Sequence, residues 1–66
     1  MVYRTICIDN TFKAGMAVGS LRALAAGQGF GSVEVIGIDE KTVTVDLAAN
    51  SSLIMAFMED QLAEYV

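Results

Sequence analysis

The chain has no histidine, no proline and no tryptophan, and among its 66 residues a single cysteine, Cys7. Without histidine there is no imidazole to act as a general base beside a nucleophile. A zinc site of Cys and His ligands cannot be assembled within one chain either. One cysteine forms no intrachain disulfide, and an unpaired thiol fits a reducing compartment. No apolar run approaches the roughly 18 residues that span a bilayer. The opening residues lack the basic start and apolar core of a signal peptide. A cytoplasmic protein with no membrane contact is the expectation. Basic residues are scarce as well, only four against eight acidic ones. Nucleic-acid binders carry clustered Lys and Arg, so no nucleic-acid partner is expected.

These absences bear on stability. Sixty-six residues make one domain, residues 1–66, and a domain this small usually needs a disulfide, a metal or oligomerisation to hold it. The first two are unavailable, which leaves self-association. The composition agrees, since 55% of the residues are hydrophobic, above the usual share for a soluble domain. Nine alanines contribute to that figure. The charge is uneven. Arg4, Lys13 and Arg22 against Asp9 give residues 1–32 a charge of +2. Seven carboxylates against Lys41 give residues 33–66 a charge of −6.

Val2–Ile8 alternates as a strand, with Val2, Arg4, Ile6 and Ile8 on one face and Tyr3, Thr5 and Cys7 on the other. Asn10 or Thr11 can cap a helix over Phe12–Ala26, with Met16, Ser20, Leu21, Leu24 and Ala25 near one face and Gly27 as its stop. The stretch Val33–Leu47 reads as a hairpin turning at Glu40 and Lys41, or through a four-residue loop over Asp39–Thr42 that keeps the same pairs. That register sets Ile38 opposite Val43 and Ile36 opposite Val45. Its two faces carry Ile36, Ile38, Val43, Val45 and Leu47 on one side, and Val33, Val35, Gly37, Thr42, Thr44 and Asp46 on the other. Asn50, Ser51 and Ser52 offer a second cap before a helix over Leu53–Glu64. Its apolar stripe is Ile54, Phe57, Met58, Leu62 and Tyr65. The order β-α-β-β-α predicts a two-layer α+β sandwich: a three-stranded mixed sheet, its third strand central, with both helices on one face and the other face bare.

This layout resembles small ferredoxin-like modules. The runs Gly31-Ser32-Val33-Glu34-Val35 and Thr42-Val43-Thr44-Val45 are similar to those of the heavy-metal-associated domain, whose order is β-α-β-β-α-β. That family holds metal through two cysteines between its first strand and first helix. The corresponding stretch here, Asp9-Asn10-Thr11-Phe12-Lys13-Ala14-Gly15, has none. The resemblance therefore implies the topology and no metal site.

Four features are candidates for function. Gly27-Gln28-Gly29-Phe30-Gly31 follows a helix and precedes a strand, the reverse of a phosphate cradle, and reads as a helix stop and connector. Gly15, Gly19 and Ala23 recur every four residues. A mid-helix glycine costs about 1 kcal/mol against alanine, so this groove points to close approach of another backbone, the sheet's or a second chain's. Tyr3, Thr5, Cys7, Val35, Thr42 and Thr44 are expected to share the bare sheet face, a docking surface. Glu59, Asp60 and Glu64 stand near a helix C-terminus, where the helix dipole disfavours negative charge. They could meet a basic protein partner.

No catalytic residue, cofactor or metal is expected. The leading expectation is a non-catalytic interaction module that self-associates, most simply as a dimer. Two alternatives are of other classes. One is a ligand-sensing regulatory domain with a pocket between protomers near Tyr3, Phe30 and the glycine loop. The other is a small enzyme with an interfacial carboxylate site drawn from Asp9, Asp46 or Glu59.

Overall fold

In a computed structural model describing residues 1–66, strand β1 (Val2–Asp9) leads into helix α1 (Phe12–Gln28), strands β2 (Gly31–Ile38) and β3 (Thr42–Ala49), and helix α2 (Ser52–Leu62). A 3-10 turn over Ala63–Tyr65 follows α2. The sheet order is β1-β3-β2, so β3 is central as the sequence predicts. The expected mixed sheet is instead wholly antiparallel. β1 and β2 run parallel, but β3 lies between them and pairs antiparallel with each. The result is an α+β arrangement with an open sheet, consistent with a ferredoxin-like variant.

The helix boundaries follow from local chemistry. Thr11 and Ser51 are the N-caps, their hydroxyls accepting from the N–H groups of Ala14 and Ile54. Such a bond satisfies a donor that the first helical turn leaves free. Helix α1 runs past Gly27 and stops at Gly29, whose φ of 70° is the left-handed geometry glycine adopts without cost. Gly31 meets a different demand. A side chain there would sit 2.2 Å from the Ala48 carbonyl oxygen, so the strand can approach its neighbour only as glycine.

The hairpin turns over Asp39–Thr42. The Asp39 N–H donates to the Thr42 carbonyl at 2.9 Å, and the Asp39 carboxylate accepts from the Lys41 N–H at 3.0 Å. Asn10 fastens this turn to β1, donating from its backbone to the Lys41 carbonyl and from its side chain to the Asp39 carbonyl. Ile38 faces Val43, as expected from the sequence. The next expected pair is displaced. The register shifts between Val35 and Gly37, and Val35, rather than Ile36, faces Val45. Ile36 is a bulge, one extra residue in β2 without a partner. The consequence reverses half the strand: Val33 and Val35 join the side of Val45 and Leu47.

The core lies between that side and the helices. Ile8, Val33, Val45, Leu47 and Ala49 from the sheet meet Ala14, Val18, Leu21 and Ala25 of α1 and Met55, Met58 and Leu62 of α2. On α1 the buried stripe differs from the expected one. Leu21 and Ala25 are buried, whereas Met16, Ser20 and Leu24 face solvent. On α2, Met58 and Leu62 are fully buried and Ile54 packs at the margin, as does Tyr65 in the turn beyond the helix, while Phe57 stays partly exposed with its ring edge-on to Phe30 at 6.1 Å. No helix is long and apolar enough to cross a membrane.

Candidate interaction surfaces

The bare face of the sheet gathers Tyr3, Thr5 and Cys7 of β1 with Thr42 and Thr44 of β3, through the register Thr5↔Asp46, Cys7↔Thr44 and Asp9↔Thr42. Thr5 Oγ1 donates to Asp46 Oδ1 at 3.3 Å, and Cys7 Sγ lies 3.6 Å from Thr44 Oγ1. Val35 is not among them. The bulge at Ile36 turns it to the helix-covered side, where it remains 44% exposed at the margin of the core. Cys7 is exposed, and the side chain it touches is a hydroxyl.

The small-residue groove of α1 does not meet the sheet. A methyl group added at Gly15 or Gly19 would touch nothing within 4 Å, and Ala23 is exposed. Close helix–sheet packing is therefore not the reason for these glycines. That role falls to Ala14, Val18, Leu21 and Ala25, while Gly15 lies with Val18 along an open cleft against the hairpin.

The acidic group divides. Glu59 is half-buried and sits 3.7 Å from the guanidinium of Arg4, while Asp60 and Glu64 are exposed. Glu59 and Asp60 rim a groove of about 510 Å³ between α2 and β1, lined also by Ile6, Ala56, Ala63 and Val66. Glu64 lies beyond it, against Tyr65. Its carboxylate raises the Tyr65 phenol above the ordinary tyrosine value, first by a hydrogen bond, with partial burial and its negative charge adding to the effect. The carboxylates considered for catalysis lie apart: Asp9 ends β1, Asp46 is bonded to Thr5 on the bare face, and Glu59 is on α2. No three Cys, Asp or Glu side chains gather to hold a metal. Within one chain no cleft includes Tyr3 or Phe30.

Two features go beyond what the sequence indicated. The first is an apolar cleft of about 210 Å³ between the start of α1 and the end of the hairpin, lined by Ile8, Val18, Val35, Ile38 and Val43 among others. Ile38 of this lining is 73% exposed, and on the chain as a whole Phe12 is 84% exposed, with Met16 and Ile36 also open to solvent. The sequence signal was indirect: Gly37 inside a strand is a usual mark of a bulge, and the bulge brings Val35 into this lining.

The second is the edge of β1. Hydrogen-bonded and non-hydrogen-bonded pairs alternate along an antiparallel ladder. The Asn10 N–H bonds to the Lys41 carbonyl, so Ile8, Ile6 and Arg4 are the β1 residues bonded to β3. The N–H and C=O groups of Tyr3, Thr5 and Cys7 therefore point away from the sheet, along an edge with no bulge. The side-chain contacts of Thr5 and Cys7 agree, because non-hydrogen-bonded pairs bring side chains closer. At the other edge, β2 carries the bulge and is the strand on which α1 chiefly packs.

No family model, curated protein or solved structure matches this chain.

Proposed function

We propose that the protein is a non-catalytic interaction module that self-associates. The observation that carries this reading is the amount of large apolar surface a single chain leaves in water: Phe12, Leu53 and Ile38 are each more than 70% exposed, and Met1, Tyr3, Met16 and Ile36 each more than half. The core beneath consists of only 12 buried residues. Association removes apolar surface from water and supplies the stabilisation that a disulfide or metal gives other small domains. The acidic half of the chain remains available to a basic protein partner, with Asp60 exposed on α2 and Glu64 exposed in the turn after it.

A ligand-sensing domain is the second reading: no cleft of the single chain includes Tyr3 or Phe30, so its pocket would form only between protomers. Light scattering over a wide dilution series, with circular dichroism on the same samples, tests the proposal. The expected result is a mass that is a multiple of 7.0 kDa and that falls, together with helical signal, on dilution. A folded monomer at every concentration overturns it.

A further inference from the structure

We infer that the seam of association is the free edge of β1, where two copies pair antiparallel about a two-fold axis through Thr5. This rests on the self-association reading and specifies the surface that serves it.

The backbone supplies the first argument. Tyr3, Thr5 and Cys7 present N–H and C=O groups in regular register along an eight-residue strand. Neither a proline nor a bulge blocks a second strand, and such an edge is a template for strand addition. The β2 edge is interrupted by Ile36.

Charge selects the register. A two-fold axis through Arg4 would set two guanidinium groups against each other, which like charges on facing strands disfavour. An axis through Ile6 would carry Arg4 past the acidic groove, to the partner copy's Ile8. An axis through Thr5 sets Arg4 opposite the partner copy's Ile6. Ile6 lines the groove whose rim is Glu59 and Asp60, so each Arg4 enters the acidic groove of the other copy. Arg4 is the only basic residue of β1; in the single chain it is more than half exposed and stands 3.7 Å from its own Glu59, a contact that the seam exchanges for the partner copy's groove. On the bare face the same register lays Tyr3 over the partner copy's Cys7 and pairs Thr5 with its twin. Thr–Thr cross-strand pairs favour pairing.

The geometry makes a crosslinking test specific. Facing residues of a hydrogen-bonded pair stand about 5.5 Å apart at Cα, within the roughly 4.4–6.8 Å a disulfide bridges. A Thr5→Cys chain in a Cys7→Ser background is expected to oxidise to a covalent dimer at least tenfold faster than the native chain. In the native chain the two Cys7 residues would be four positions out of register, roughly 13 Å along the strand. Charge reversal gives a second test that does not depend on crosslinking. Arg4→Glu alone, and Glu59→Lys with Asp60→Lys alone, should each weaken the homodimer at least tenfold. Mixing the two chains should restore a heterodimer of near-native affinity, because each charge then meets its opposite across the seam. Thr5→Pro removes an outward N–H that β3 does not use. It should leave a folded monomer, with folding checked by circular dichroism.

Failure of the seam and failure of self-association give different results. A native chain that is monomeric throughout removes both proposals. A native dimer whose Thr5→Cys form crosslinks no faster than the native chain, and whose charge-reversed chains do not complement on mixing, overturns the seam. Association would then lie at the bare face, the α1 groove or the apolar cleft lined by Val35 and Ile38.

Discussion

The two faces of the sheet are made by the same three strands and differ in nearly everything that governs burial. On the covered face Ile8, Val33, Val45, Leu47 and Ala49 are closed off by α1 and α2. On the bare face Tyr3, Thr5, Cys7 and Thr42 are exposed, and the contacts between strands are a hydroxyl on a carboxylate and a thiol beside a hydroxyl. The stability of the single chain therefore lies on one side. The bare face and the β1 edge are free of folding duties, and changes there should alter association while leaving the fold intact.

The sharpest break comes from Leu47→Ala. Leu47 is fully buried at the centre of β3. Truncation of such a residue costs about 2–5 kcal/mol, comparable to the whole stability of a domain this size, at about 0.1 kcal/mol per residue. Urea denaturation should show a chain largely unfolded at low concentration. Thr44→Ala, three residues away on the same strand, should shift the urea transition by less than about 0.5 kcal/mol. Equal effects at the two positions would remove the distinction between the faces.

Glycines extend the comparison from the faces to the elements beside them. Gly31→Ala drives a methyl group into the Ala48 carbonyl and should cost about 1–3 kcal/mol, as overpacking does. Gly19→Ala enters open space and should stabilise the chain by about 1 kcal/mol. If Gly19→Ala instead weakens the associated form, the α1 groove is part of an interface.

The smallest expected effect is in alkali. The Tyr65 phenol is raised above its ordinary value of 10.0, chiefly by its hydrogen bond with Glu64. A group whose folded value is raised contributes stability below its unfolded value, and that contribution disappears as pH climbs through the folded one. Thermal stability should thus fall slightly above pH 10, and Tyr65→Phe should flatten that part of the profile.

Much of the fold is legible in the sequence because local signals and burial agree. Thr11 and Ser51 are strong caps just before apolar runs. The turn at Glu40 and Lys41 fixes Ile38 against Val43, whereas the hairpin and the crossover leave open whether β1 lies beside β2 or β3. The bulge at Ile36 was not legible from alternation. Val33–Ile38 is apolar on both parities apart from Glu34 and Gly37, so two registers bury comparable groups. Helix α1 misled for a similar reason. Apolar side chains surround it, and the sheet selects the smaller ones, Ala14, Val18 and Ala25 with Leu21, leaving Met16 and Leu24 outside. The β1 edge depends on which amides face β3, a property of register that no residue type announces.

Amide hydrogen exchange, measured above and below the concentration at which the mass changes, tests the central claim most directly. The outward N–H groups of Tyr3, Thr5 and Cys7 should exchange slowly in the associated form and fast in the dilute one. Those of Val33 and Val35 on the β2 edge should stay fast in both. An associated form in which the β1 amides exchange as fast as in the dilute chain would contradict the account.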